Sequence, residues 1–401
     1  MKRFRYGIHG AILLALIILT PLCLNIEVVS TNSNEIDWPS ARFGHKVQFI
    51  PLSNQMLLFG GETIIDGEYQ QLDDTLVYSF SNNSWNEISS SIHPSGRHNY
   101  GLSFNSDENQ VLLFGGFDNV QVLNDTWIFN YTVYQWEQVN TTLCPAPRSD
   151  TALCYDSLNQ KTILFGGYDF DNGSSLQDTW IFHWNNHTWS EVLPISNPEP
   201  RYGHKMVYDS EHQNAILFGG RSALVENNLW TYSYEANTWI EVSQGDGPEE
   251  VYWHSMTYDS LNSMIVVFGG RQSHYLTTDL YNQTWIFDQS ENSWTQMHPV
   301  VSPTQRVLAS MTFDSIENRV LLFGGICDIP TVEDRLSDEF WAYDHQSNEW
   351  TIINQDMASN PPIRIEHILL ISGVLALVVI IIWYRRSVTS NFRNGSPVVN
   401  I

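Results

Sequence analysis

A chain of 401 residues, 13% of them aromatic, is too apolar for disorder and long enough for one large core or two smaller ones. Its 19 Lys and Arg stand against 44 Asp and Glu, a formal charge of −25. That balance repels nucleic acid, whose binding depends on cationic side chains at phosphates. The four cysteines, Cys23, Cys144, Cys154 and Cys327, match no zinc spacing and include no CxxC, so no metal or other cofactor is expected from them. A Cys144–Cys154 disulfide stays open as an option in an oxidising compartment.

Residues 1–30 read as a signal peptide or a retained N-terminal anchor. Lys2, Arg3 and Arg5 precede an uncharged apolar run, the layout of a secretory n-region and h-region. A short linker, 31–41, follows. At the other end a linker at 356–365 leads into an uncharged apolar stretch, expected as a transmembrane helix over 366–384. Trp383 and Tyr384 sit where an interfacial belt would, and Arg385 and Arg386 open a basic tail, 385–401. Basic residues outside both apolar segments place the C-terminus in the cytoplasm and everything between on the extracytoplasmic side of a cell membrane.

The middle of the chain, 42–355, is one unit written six times. Gly-Gly recurs at Gly60-Gly61, Gly115-Gly116, Gly166-Gly167, Gly219-Gly220, Gly269-Gly270 and Gly324-Gly325, each time after an apolar run ending in Phe. Eighteen residues before each pair stand Arg42, Arg97, Arg148, Arg201, Val251 and Arg306. Further on, a WIF-type element is followed nine residues later by Trp85, Trp136, Trp189, Trp239, Trp294 and Trp350. Repeats therefore run over about 42–91, 97–142, 148–195, 201–245, 251–300 and 306–354. Each holds four runs with β-branched and aromatic enrichment, separated by Asn, Asp and Ser turns, which predicts four antiparallel strands. Asn83, Asn237, Asn292 and Asn348, two residues before the second Trp, are expected at turns needing a positive φ. A four-stranded sheet with two apolar faces cannot bury itself, but six of them arranged radially can.

The repeat resembles kelch: Gly-Gly after the second strand, an aromatic in the third, Trp in the fourth, and a period near 50. That resemblance implies an all-β fold, a six-bladed β-propeller used as a binding module. It names no ligand. Only the spacing from Gly-Gly to the third strand varies, so recognition is expected on the loops joining second and third strands: 62–73, 117–124, 168–177, 221–227, 271–282 and 326–337. There, Arg221 and Arg271 occupy equivalent positions in adjacent repeats, with His274 and Tyr275 nearby, and suit a carboxylate, a phosphate or an acidic peptide. The alternative is pairing with acids of their own loops. Glu62, Phe117 and Tyr168 hold the same position in other repeats, and Tyr168, Phe170 and Tyr275 could stack on a sugar or anchor a protein. Asp169 and Asp171 resemble half of a calcium loop without its closing Glu.

An enzyme is not expected. Copper–radical oxidases on kelch-like propellers use two His and two Tyr, one Tyr joined to Cys, and no His pair here has ligand spacing. The function expected is cell-surface recognition of a protein or glycan. A carbohydrate-acting enzyme and a structural adhesion component are the alternatives. Sequons occur at Asn82, Asn124, Asn130, Asn140, Asn172, Asn186 and Asn282. Glycans suit an exported domain and are expected at Asn82, Asn130, Asn140, Asn172 and Asn186, while Asn124, beside a third strand, is expected to be hindered. One stretch, residues 200–220, superficially offers a site in His204, Tyr208, Asp209 and Glu211. In register, however, Asp209 matches Asn105, Asp156, Asp259 and Asp314, always followed by Ser, so it reads as architecture.

Overall fold

The computed structural model describes residues 33–36, 38–242, 247–272, 280–327 and 336–353. These belong to a unit beginning at Ser33, separate from Met1–Asn32. The expected N-terminal segment with Cys23, the linker at 356–365, the helix at 366–384, the tail, His274 and Tyr275 lie outside the described residues. Among the described residues no helix is long and apolar enough to cross a membrane.

Six four-stranded antiparallel sheets follow one another in chain order. The first comprises Lys46–Ile50, Gln55–Ile65, Glu68–Ser79 and Ser84–Ile88, and the last Ser310–Asp314, Arg319–Phe323, Phe340–Asp344 and Glu349–Ile352. Each blade is built from contiguous sequence, so the ring closes without strand exchange. The extra strand Ser33–Ile36 pairs with the outer edge of blade 1. Blades 1 and 6 are joined at the seam by side chains as well as backbone: the backbone N–H groups of Val47 and Phe49 donate to the hydroxyls of Ser310 and Thr312, and Gly325 N–H donates to the Arg42 carbonyl.

Strand alternation distributes the core. In blade 1, Leu57 and Phe59 face blade 2, among Val111, Leu113 and Trp136. Their neighbours Met56 and Leu58 face blade 6, with Leu321 and Phe323. Four further clusters fill the remaining interfaces in the same way. No blade has a private core, so none is expected to hold its fold alone.

The invariant spacings have specific causes. Arg42, Arg97, Arg148, Arg201 and Arg306 are each buried, and each donates from Nη1 to the carbonyl of the first Gly eighteen residues on. In blades 1 to 3 the same guanidinium forms a bidentate pair with Asp74, Asp125 or Asp178 at 2.6–2.9 Å. Arg306 pairs with Glu339. Where blade 5 has Val251, the acid position is Gln283, whose Oε1 accepts from the Trp285 indole. The nine-residue spacing belongs to the tight turn before the fourth-strand Trp. Asn83, Asn237, Asn292 and Asn348 do take positive φ there, as do Tyr134 and His187 at the matching positions. The Trp indole then donates across the blade interface: Trp136 to Thr75, Trp189 to Thr126, Trp239 to Thr179 and Trp350 to Thr284.

Asp209, fully buried, caps its hairpin. Its Oδ1 accepts the backbone N–H groups of Glu211 and His212, and Oδ2 lies 2.8 Å from His212 Nδ1. Asn105, Asp156, Asp259 and Asp314 form the same turn. His204 packs on Phe165 of the preceding blade and contacts its carbonyl. His45 and His254 pack likewise on Phe323 and Phe218. Tyr100 fills the equivalent place in blade 2 and donates to the Phe59 carbonyl.

A second ring lies at the entrance to the first strands. Asn99 N–H donates to Gly44 O, Asp150 to Asn99, Gly203 to Asp150, Trp253 to Gly203, Leu308 to Trp253 and Gly44 to Leu308, all at 2.7–3.1 Å. These six residues close a circle of backbone hydrogen bonds, and all have positive φ.

Candidate functional site

The expected recognition loops differ from expectation in half the blades. In blades 1 to 3, segments 62–73 and 168–177 are largely strand rather than loop, and 117–124 is half strand. A β-bulge at Gly-Gly shifts the register, and the ladder resumes at Gly61↔Leu72, Gly116↔Leu123 and Gly167↔Leu176. In blades 4 to 6 the ladder between second and third strands ends at Phe218, Phe268 and Phe323.

The residue after Gly-Gly bridges, in every blade, to the residue after the Arg position: Phe43↔Glu62, His98↔Phe117, Ser149↔Tyr168, Tyr202↔Arg221, Tyr252↔Arg271 and Val307↔Ile326. Glu62, Phe117, Tyr168, Arg221 and Arg271 are thereby set on one face of the ring. Their bridge partners form the second half of the site, which sequence reasoning missed. The readable signal was a column of Phe43, His98, Tyr202 and Tyr252, one residue past each Arg position.

Together these side chains form an aromatic arc. Tyr69 packs on Phe43, Phe43 on His98, His98 on Phe117, and Phe117 stacks on Phe170 at 5.1 Å. Phe170 meets Tyr168, Tyr168 meets Tyr202, Tyr202 meets Tyr252, and Tyr252 meets Trp253. Tyr69 and Phe170 are about half exposed, at 57% and 51%.

The two arginines converge at one end of this arc. The guanidinium carbons of Arg221 and Arg271 lie 5.7 and 5.9 Å from the ring centre of Tyr252. Among the described residues neither forms an ion pair, and Arg271 Nε is buried without a hydrogen-bond partner. The nearby acids are engaged elsewhere: Glu226 accepts from Ser222, Glu249 from Tyr281 and Glu250 from Gln272. Two half-buried cations are thus held side by side on an acidic protein.

At the other end, Glu62 is buried rather than presented. It accepts from Asn119 at 3.0 Å and lies 3.7 Å from His98 Nδ1. Burial raises its pKa against those hydrogen bonds, and burial lowers that of His98 to about 4, so the imidazole is neutral. Asp169 is committed to its own turn, accepting from Asp171 N–H, Asn172 N–H and Asn172 Nδ2. Among the described residues no group of three potential metal ligands gathers, there or elsewhere. Cys144, Cys154 and Cys327 are free thiols. Cys154 packs toward blade 4 and Cys144 against the cluster between blades 2 and 3. Of the sequon asparagines, Asn82, Asn124, Asn140, Asn172, Asn186 and Asn282 are exposed and Asn130 half-buried.

Comparison with known proteins agrees with this geometry. The KLHDC2/KLHL20/DRC7 Kelch-repeats domain model matches residues 16–220, and the Attractin/LZTR1 beta-propeller model matches residues 162–381. A flagellar outer arm dynein alpha chain of Chlamydomonas reinhardtii is 28% identical over 46% of this chain and 4% of its own length. A leucine-zipper-like transcriptional regulator 1 homolog of Drosophila melanogaster is 28% identical over 45% and 19%. The host cell factor homolog hcf-1 of Caenorhabditis elegans is 28% identical over 48% and 26%. Each alignment takes in about a quarter or less of the relative's length. With six four-stranded blades, the repeated Gly-Gly and Trp, and two family models each matching more than half of it, the chain belongs to the kelch-repeat β-propeller proteins.

Proposed function

We propose that the protein is a recognition module that binds an acidic segment of a partner protein on the face carrying Arg221, Tyr252 and Arg271. The observation behind this reading is the pair of guanidiniums on Tyr252, without a carboxylate partner among the described residues. Guanidiniums so placed offer bidentate donors to a carboxylate, and the adjoining rings add apolar contact area. Kelch-type propellers among the relatives sit within much longer proteins, which suits a module that docks rather than reacts.

The proposed setting is the outside of a cell, with residues 1–30 as export signal or anchor and 366–384 as membrane span. It rests on the charge and hydropathy pattern of the two ends. A glycan is the second reading, favoured by the half-exposed Tyr69 and Phe170 in the aromatic arc. Titration of the purified chain with a fluorescent Glu-rich peptide tests the first. Binding should weaken by at least about tenfold in an Arg221→Ala, Arg271→Ala double variant, a change of about 1.4 kcal/mol. Unchanged affinity for the peptide would remove the acidic-segment reading. Glycan-array binding that survives the double variant but is lost in Phe170→Ala would transfer the function to the aromatic arc.

A further inference from the structure

The centre of the ring holds a cavity of about 370 Å³, walled by the six first strands. It opens where those strands turn, at Pro51, Ser106, Ser157, Ser210, Ser260 and Ser315. That is the face opposite Arg221 and Arg271. Its other end is blind, because the circle of backbone hydrogen bonds through Gly44, Asn99, Asp150, Gly203, Trp253 and Leu308 lies there.

The innermost layer of the cavity is set by six equivalent positions: Lys46, Gly101, Ala152, Lys205, Ser255 and Ser310. Four are small. The two lysines come from blades 1 and 4, which stand opposite each other in a ring of six, and both line the void, near enough for their charges to interact. Among the described residues they are the only charged side chains in the wall, the remainder being apolar groups, hydroxyls, one thiol and one amide. Asp150 is the one carboxylate close by. It accepts from Trp253 Nε1 at 2.8 Å and from Ser149, and it forms no ion pair within 4 Å with either amine. Burial, then their mutual charge for Lys46, lowers the pKa of each lysine, with Asp150 opposing. Burial disfavours charge on two lysines that share one void without an ion-paired carboxylate, and an anion seated between them, at the end of a chamber of ligand size, would restore it.

We infer that the blind end of the channel is a binding site for a small organic carboxylate, held between the Lys46 and Lys205 amines with its apolar body against Met206, Met256 and Met311. The hydroxyl-rich mouth admits a polar solute, and the sulfur-containing walls favour an apolar body over a bare inorganic anion. This site is independent of the recognition face.

Benzoate is a suitable probe, titrated into the purified full-length chain carrying ¹³C-methyl methionine. The methyl signals of Met206, Met256 and Met311 should shift saturably with a Kd at or below about 1 mM, while Met56, buried between blades 1 and 6, stays in place. Benzyl alcohol, which lacks the charge, should give no saturable shift. A Lys46→Met, Lys205→Met variant should lose at least about tenfold in affinity, and the Arg221→Ala, Arg271→Ala variant should bind as the parent does. Should the double lysine variant fail to fold, the benzoate and benzyl alcohol comparison on the parent chain decides alone. Absence of a saturable benzoate shift, an equal response to benzyl alcohol, or unchanged benzoate binding in a folded lysine variant would overturn the assignment.

Discussion

Blade 4 carries a defect that a single substitution should mend. In blades 1 to 3 an aspartate receives both Nη atoms of the blade arginine, and in blades 2 and 3 also the indole N–H of the third-strand Trp. At the matching position blade 4 has Asn228, whose single oxygen accepts from Arg201 Nη1 at 2.7 Å. Arg201 Nη2 and Trp230 Nε1 are left buried without partners, and burial lowers the Arg201 pKa to about 10. An Asn228→Asp change supplies the second oxygen. Satisfying a buried donor is worth about 1–3 kcal/mol, and two are at stake. The neighbouring Glu241, which now accepts from Asn228 Nδ2 at 3.3 Å, would repel the new charge. A net gain of about 2 kcal/mol is expected, raising Tm by about 4 °C for a domain of this size.

Asp178→Asn in blade 3 should produce the reverse, a loss of about 2 kcal/mol. Burial pushes the Asp178 pKa up, but the hydrogen bond and charge of Arg148, with Trp180, outweigh it and hold the carboxyl below its usual range. A carboxyl with a depressed folded pKa stabilises fully above its unfolded pKa of about 3.9 and loses that contribution as pH falls through the folded value. The gap between parent and Asp178→Asn should therefore be complete at pH 7 and shrink below about pH 4. Scanning calorimetry across pH measures both variants. If Asn228→Asp lowers Tm at pH 7, or the Asp178→Asn gap ignores pH, the paired-carboxylate account of the repeat is wrong.

Three further expectations follow from the packing. Thr126→Val leaves the buried Trp189 indole N–H unpaired and should cost about 1–3 kcal/mol in urea unfolding, whereas a change within error would mean the cross-blade bond adds nothing. Gly116→Ala should abolish soluble protein, since φ is +102° and the new methyl would lie 2.9 Å from the His98 carbonyl oxygen, while Gly173→Ala, with only the Tyr168 hydroxyl 4.0 Å away, should cost about 1 kcal/mol. His45, His204 and His254 are held neutral by burial first, so their stabilisation is complete above about pH 6.5 and is lost as pH falls below it. Replacing all three by Tyr, the residue at the matching Tyr100 site, should flatten Tm against pH between about 6.5 and 4, and an unchanged slope would exclude them as its source.

The blades were legible from the primary structure because the repeat writes each of their parts at a fixed distance. Arg42 and Gly60 stand eighteen apart since a hydrogen bond joins them, and Trp85 follows Leu76 by nine since one tight turn does. The acid partner of each arginine escaped notice for a matching reason. Asp74, Asp125 and Asp178 keep a constant offset from the third strand, but variable chain separates that strand from the arginine. The site divides similarly. Arg221 and Arg271 stand in one column and were found together, whereas Tyr252, which joins them, belongs to another. Lys46 and Lys205 stand in one column of otherwise small residues, and only the geometry of a six-fold ring shows that these two exceptions face each other. The extension of the second and third strands in blades 1 to 3 depended on a bulge, which spacing alone does not separate from a loop.

The circle through Gly44, Asn99, Asp150, Gly203, Trp253 and Leu308 also bears on how such a gene can change. Every member donates to one neighbour and accepts from the other, so the set has no free end and no spare bond. Whole-repeat duplication is the easiest way to lengthen a tandem array, and here each blade is self-contained enough to be copied intact. A seventh copy would nonetheless have to widen a closed loop of bonds of 2.7–3.1 Å, and its left-handed residues, four of them non-glycine, would lose the bonds that offset their strain. The loop thus counts blades, and it lets the faces of the ring diversify while holding their number at six.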